Sequence, residues 1–410
     1  MITIDEALRL LRDHIHPLAP RDFPAADAVG RVLARDVSAS VDSPPYDKAL
    51  MDGYAVRAAD VASLPQTLRV LEQVTAGQVP ARSVESGTAT RIMTGAPLPH
   101  GADAVVPIEM TDTDPAAVDV PSTVTIHAGS YSPGRHILRQ AELMRAGEVV
   151  LPAGHRLRSV EVGLLAEMGH TEVSAFPRPS MAIIATGDEL VPPGTQLRPG
   201  QIWNSNGALL QAAAQHMGLE FQNQGIVPDQ PHQLASAVRT GLDCDVLLLT
   251  GGVSMGVHDH VPAVLRDAGV ECLFHKVSLK PGKPIWCGIR QSDKGSTLVF
   301  GLPGNPVSTL VCFELFVRPA LQRLAGLDLP LDRRQSGVLS EEFQQRGDRP
   351  TCYPGRAERD AQQRMIVAPL DWRGSADLRT LAQANCLIYF AAGTRTYPAQ
   401  SVVSYYPIDI

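Results

Sequence analysis

The sequence predicts a multidomain α/β protein whose centre is a doubly wound α/β domain. Three observations carry that expectation. Residues 178–326 alternate short apolar strands with helices that stop at glycine, the rhythm of a parallel sheet with crossover helices. Residues 41–139 hold β-like runs between Pro/Gly turns, with weak helical periodicity. Residues 330–410 return to short β-like runs, as a small β domain would. A chain of 410 residues, at about 150 per domain, holds two to four domains.

The elements follow in order. The chain opens on a helix: Thr3 and Glu6 form a capping box, and Ile4, Ala7, Leu8, Leu11 and Ile15 share one face. Residues 68–74 and 123–127 read as strands, and 160–169 as a second helix. A helix on each flank of a β segment suggests a β domain inserted into a helical one. In the centre, strands are expected at 181–185, 245–249, 271–277 and 297–300. Helices are expected at 207–217, 261–267 and 306–325, with Gly218, Gly269 and Gly326 as stops. The expected division is 1–40 with 140–177, then 41–139, 178–328 and 329–410.

Composition narrows the function. The 33 prolines exceed the usual share of about 5% and argue against a helical bundle or coiled coil. A formal charge of -7 and 5% aromatics leave neither a general basic surface nor many stacking platforms, so nucleic acid and anionic membrane are not expected partners. No apolar run of about 18 residues suggests a transmembrane helix, and the charged start MITIDEALRLLRDH is not a signal peptide. Cys244, Cys272, Cys287, Cys312, Cys352 and Cys386 lie singly, without a C-x-x-C, as buried thiols of a reducing cytoplasm do.

Ligands of open α/β sheets bind outside the carboxyl ends of the strands. Three loops there have a marked composition: Thr186-Gly187-Asp188-Glu189, Thr250-Gly251-Gly252-Val253-Ser254-Met255-Gly256, and Leu302-Pro303-Gly304-Asn305-Pro306. Glycines allow close backbone approach, and Asn305 reads as an N-cap before Pro306, a helix start able to hold an oxyanion. Between Glu271 and Asp293 there is no acid, while Lys276, Lys280, Lys283 and Arg290 are present, a local anion site in an acidic chain. Asp188, Glu189, Asp229 and Asp259 are hard oxygen donors suited to Mg2+ beside a phosphate.

Other readings fit less well. Lys283 is followed by Pro284, so the G-x-x-x-x-G-K-[ST] phosphate loop is absent, as is G-x-G-x-x-G. Gly252-x-Ser254-x-Gly256 matches a nucleophile elbow, but the last histidine, His275, comes too soon for the usual triad order. His258 and His260 at i, i+2 make a poor zinc pair.

The segments PPYDKALMDGYAV, RIMTGAPLPHGADAVV, ATGDEL, TGGVSMGVHD, KPGKP and LPGNPVS, in this order, resemble the molybdopterin molybdenumtransferase family, MoeA-type and similar to the E domain of gephyrin. The resemblance covers nearly the whole chain. It implies an elongated helical domain, an inserted β domain, a MogA-like molybdopterin-binding α/β domain and a C-terminal β-barrel. It implies a cytoplasmic homodimer whose cleft takes the α/β domain from one subunit and the inserted domain from the other. Partners implied are other molybdenum cofactor biosynthesis proteins and molybdoenzyme acceptors. The implied substrates are molybdate and adenylylated molybdopterin, with Mg2+ as cofactor and AMP as a product.

Roles carried over by matched position are implied in the same way. Asp229, Asp259 and Glu189 would serve the metal and, with Asp52, Lys276 and Lys280, catalysis. Thr94, Gly95, Thr186, Gly187, Asp188, Gly251, Gly252, Ser254, Gly256, Pro303 and Asn305 would contact the pterin cofactor. Lys283, Ser308 and Ser375 would form the molybdate pocket, with Arg356 substituting for the family's barrel arginine. The sequence departs from the family pattern at Leu143, Asn204 and Gln230, where carboxylates are usual, and at Ala49-Leu50, where a serine is usual. Either Glu142 stands in for the carboxylate lost at Leu143, or the chain is a weakened paralogue that binds and carries the cofactor. A structural scaffold has no support in the sequence.

Overall fold

The computed structural model describes residues 1–252, 260–293, 295–328 and 332–408. The chain divides into two compact units: 1–21 with 176–410, and 22–175.

The first unit is built on a six-stranded sheet in the order Phe221–Val227, Met181–Thr186, Val246–Thr250, Gly295–Leu302, Trp286–Ser292, Glu271–His275. The first four are mutually parallel. Trp286–Ser292 runs antiparallel to both of its neighbours, so the sheet is mixed where a parallel one was expected. The reason is local: 286–302 folds as a hairpin, with Ser292 opposite Gly295, which needs no crossover helix. The central strands are buried on both faces, hence their continuous apolar runs.

The N-terminal helix Ile4–His14 carries its capping box: Glu6 N–H donates to Thr3 Oγ1 at 3.2 Å and Thr3 N–H to Glu6 Oε2 at 2.7 Å. Its face of Ile4, Leu8 and Leu11 enters the same core as Phe274, Phe300, Phe313 and Phe316. The long helix expected at 306–325 is not uniform. It runs as Pro306–Cys312, a π-helical turn Phe313–Val317, then Arg318–Leu324. Within that turn the buried Glu314 takes two bonds from Arg318, at 2.7 and 2.8 Å. Strands Gln335–Leu339, Thr351–Arg359, Met365–Pro369, Cys386–Phe390 and Val402–Pro407 close a β-barrel.

The second unit holds a five-stranded sheet in the order Ala104–Pro107, Gly53–Val56, Thr88–Ile92, Gln66–Val74, Thr123–Ile126. Its core gathers Tyr54, Leu68, Val106 and Ile126. Helix Ser159–Glu167 belongs to a separate cluster with Ala28, Leu33, Leu157 and Leu165. No helix among the described residues is long and apolar enough to cross a membrane.

Candidate functional site

Five strands of the mixed sheet point their carboxyl ends at one edge, finishing at Thr186, Val227, Thr250, His275 and Leu302. Each is followed within three residues by expected site residues: Gly187, Asp188 and Glu189; Asp229; Gly251 and Gly252; Lys276; Pro303 and Asn305. The sheet thus brings together residues up to about 120 positions apart in sequence, as open α/β sheets do.

The stitching among these ends is direct. Thr186 Oγ1 donates to Asp229 Oδ1. Asp229 N–H donates to Asp188 Oδ1 at 3.1 Å, so Asp188 orients Asp229. A Cβ on Gly252 would lie 3.7 Å from Asp229 Oδ1, and one on Gly187 only 2.7 Å from Glu189 Oε2. Gly187 therefore leaves room for the Glu189 carboxylate beside the backbone, while a Cβ on Gly252 would stand in ordinary contact with Asp229. Gly251 passes so close to Thr186 that a Cβ would sit 2.1 Å from its carbonyl oxygen. Lys276 takes a left-handed backbone, φ 67°, held where its N–H donates to Ile285 O at 2.9 Å and its carbonyl accepts from Ile2 N–H at 3.1 Å. Ser254, Gly256, Asp259 and His258 lie outside the described residues.

Asn305 occupies the N-cap position of Pro306–Cys312, but its side chain makes no capping bond. Its carbonyl, not its amide, is used: it accepts from Thr309 N–H at 2.9 Å and Thr309 Oγ1 at 3.2 Å. Thr309 Oγ1 also donates to Pro303 O at 2.6 Å, which fixes the loop from beneath.

A cavity of 450 Å3 lies between the Lys280–Lys283 turn, Ser308 and the barrel. Among the described residues four cations, Lys280, Lys283, Arg346 and Arg349, line it with no carboxylate, and Ser308, Ser375, Thr351 and Tyr353 add hydroxyls. Its charge and donors suit a small oxyanion. The turn is tied to the barrel edge: Lys280 N–H donates to Pro350 O at 2.9 Å and Cys352 N–H to Lys280 O at 2.8 Å. Arg349 Nη1 donates to Leu279 O at 2.9 Å, which aims its guanidinium along the same wall.

Arg356 is not part of this wall; it pairs with Glu358. Side chains alternate along a strand, so Thr351 and Tyr353 face the cavity and Arg356 takes the opposite face. The cationic partners are Arg346 and Arg349, in the loop before the strand. Sequence reasoning missed them because the approach of that loop to Lys280 is a non-local backbone pairing with no local signal.

In the second unit, Asp52 Oδ1 accepts from Thr94 N–H at 2.6 Å and Thr94 Oγ1 at 2.7 Å. These donors, the backbone N–H first, hold the Asp52 carboxyl below the ordinary carboxylate value. Gly95 has φ 81° and donates to Ala49 O at 2.8 Å, which turns the chain under the pair. Glu142, considered as a stand-in for the missing carboxylate, spends one oxygen on its own turn, accepting from Arg139 N–H at 2.8 Å. Leu143 is 60% exposed.

Among the described residues no group of three or more His, Cys, Asp or Glu is gathered tightly enough to hold a metal. The available donors are carboxylate and hydroxyl oxygens, which suit Mg2+ completed by substrate oxygens and do not suit a soft-ligand zinc centre.

Comparison with known proteins places the whole chain. The MoeA N-terminal region (domain I and II) matches residues 2–169, a probable molybdopterin binding domain matches 182–323, and the MoeA C-terminal region (domain IV) matches 336–408. Molybdopterin molybdenumtransferase 2 of Mycobacterium tuberculosis is 36% identical over 401 residues, 95% of each chain. Molybdopterin molybdenumtransferase of Staphylococcus epidermidis is 31% identical over 408 residues, covering 98% of this chain and 94% of that one. The crystal structure of the molybdopterin biosynthesis MoeA protein from Pyrococcus horikoshii superposes with a TM-score of 0.82 at 29% identity, covering 99% of both chains. With family matches over 2–169, 182–323 and 336–408 and a relative 36% identical over 95% of each chain, the chain belongs to the MoeA family of molybdopterin molybdenumtransferases.

Proposed function

We propose that this chain transfers molybdenum from molybdate to adenylylated molybdopterin and releases AMP. The observation that carries this reading is the four-cation cavity beside the Lys280–Lys283 turn, a site with the charge for a small dianion. Molybdate would be held there by Lys280, Lys283, Arg346 and Arg349, with the Ser308 and Ser375 hydroxyls. A small dianion needs several charge-assisted donors to leave water.

The adenylylated pterin would lie along the strand ends. Backbone N–H groups of Gly251 and Gly252 would approach it, with Lys276 compensating its phosphates. Asp229 and Glu189, with Asp259, would hold Mg2+. Bound there, the ion would offset charge developing on the phosphoanhydride oxygens. Asp188 keeps Asp229 oriented through its backbone N–H, and Thr186 engages one of its oxygens. We propose further that the Asp52–Thr94 pair serves the site of the other subunit in a homodimer, and that the chain has the four-domain division read from its sequence.

A second reading has one observation in its favour. Glu142 is engaged in its own turn and Leu143 presents an apolar side chain, so the usual carboxylate has no evident substitute. The chain would then bind and carry the cofactor with weakened turnover. One assay separates the two. Purified protein with Mg2+ and adenylylated molybdopterin is expected to release AMP on addition of molybdate, and Leu143→Asp to change the rate less than about three-fold. Tight pterin binding with no AMP release in the wild type, restored in Leu143→Asp, would overturn the first reading in favour of the second.

A further inference from the structure

Asn206 is the second residue of helix Ser205–His216 and is only 8% exposed. Its helix is capped by Asn204, whose Oδ1 accepts from Gly207 N–H at 2.8 Å. The Asn206 amide does something different. Its Nδ2 donates to Thr250 Oγ1 at 2.9 Å and to Gly304 O at 2.7 Å. Thr250 ends a strand and opens the Gly251-Gly252 loop. Gly304 stands just before the start of helix Pro306–Cys312. The two loops also meet where Gly251 N–H donates to Leu302 O at 3.2 Å, and a Cβ on Gly304 would lie 3.9 Å from Gly251 Cα.

The amide can sit only one way round. A backbone carbonyl accepts and never donates, so the nitrogen must face Gly304. Oδ1 is then buried with no hydrogen-bond partner among the described residues. A buried acceptor left unmade is unfavourable. A side chain serving only helix packing would have no reason to incur that cost, whereas one serving as a cross-piece between two loops does.

We propose that Asn206 is a positioning residue: its amide holds the Gly251-Gly252 loop and the Gly304-Asn305 loop at the separation that lets both meet one ligand. This rests on the reading of the strand ends as the pterin site. It adds a function for a residue that need not touch substrate. Thr250 and Gly304 lie 54 residues apart, and one amide group sets the spacing of their loops.

The test uses the full chain and Asn206→Asp, which keeps size but cannot donate when ionised. Amide hydrogen exchange of peptides covering 250–252 and 303–305 is expected to quicken by up to about ten-fold, the loss of one hydrogen bond at each loop, while that of the Lys280–Lys283 turn stays put. AMP release should fall about ten-fold in kcat with the KM for molybdate unchanged. The defect should shrink in part as pH is lowered, because burial raises the pKa of the introduced carboxyl and its neutral form can restore one of the two donations. A folded variant with unchanged exchange and unchanged kcat would overturn the proposal. So would a general loss of stability with exchange quickened everywhere and no pH rescue, the mark of a packing role. If Asn206→Asp does not fold, Thr250→Val removes one of the two acceptors and is expected to give the same local pattern, about three-fold; no local change there would equally overturn it. Should the wild type release no AMP, the functional reading fails on its own, and the exchange result still judges the bridge.

Discussion

Asp52 and Thr94 are joined twice: one carboxylate oxygen, Asp52 Oδ1, accepts both the Thr94 backbone N–H and its hydroxyl. Both donors favour the ionised carboxyl and hold its pKa down. A depressed pKa contributes stability that is present above the unfolded-state value and lost as pH falls through the folded one. Thr94→Val removes the smaller contribution and keeps the N–H. The Asp52 titration midpoint, followed by NMR of the carboxyl carbon, should therefore rise part of the way to the ordinary value. No rise would show that the hydroxyl bond does not form in solution.

The cavity arginines give a sharper contrast. Arg349 is aimed along the oxyanion cavity and Arg356 is turned away toward Glu358. A charged hydrogen bond contributes about 1.5–3 kcal/mol, so Arg349→Ala should raise the KM for molybdate by about ten- to a hundred-fold. Arg356→Ala should leave it within about two-fold. Steady-state AMP release over a molybdate titration decides, and the reverse ranking would reassign the cavity.

Two glycines with positive φ, Gly53 at 158° and Gly77 at 85°, differ in whether crowding is added to the backbone preference. At Gly53 a Cβ would lie 1.9 Å from Val106 O, inside a strand pair that cannot spread without losing its ladder. At Gly77, φ is 85° and nothing lies within 4 Å of the added atom. Gly77→Ala should cost about 1–2 kcal/mol from the left-handed backbone alone. Gly53→Ala should cost more than about 4 kcal/mol, or prevent folding of that unit. Equal urea midpoints for the two variants would contradict the steric account.

Thiol chemistry tests the cores. Of the six cysteines only Cys272 is exposed. Burial pushes the thiols of Cys352 and Cys386 up to about 12, so neither offers thiolate at neutral pH. An aromatic disulfide reagent at about pH 8 should modify one thiol quickly in the native protein and all six after denaturation. The sign for stability follows: unfolded thiols ionise first, so stability should decline as pH rises from about 8.5 toward 12. Two or more fast thiols in the native state would mean that one of these cores is more open in solution than its burial indicates.

How much of this was legible in the chain depends on range. The capping box of Thr3 and Glu6 is a local pattern and formed as read. The strands expected at 181–185 and 245–249 form within a residue of those bounds, as Met181–Thr186 and Val246–Thr250, because runs buried on both faces carry their own signal. Phe221–Val227 was missed: it is an edge strand, half-exposed, with Gln222, Asn223 and Gln224 in it. Trp286–Ser292 was missed because a hairpin strand of WCGIRQS has no clear alternation. The sequence by itself determined which residue types stand after each strand, since glycines, carboxylates and lysines are written into contiguous motifs. Only the tertiary structure decided which cations meet. Arg346 and Arg349 reach Lys280 because a barrel strand pairs its backbone with a turn some seventy residues earlier, and Arg356 leaves because strand parity turns it outward. Such pairings depend on three-dimensional register, and register is set by the whole core and not by any local run of residues.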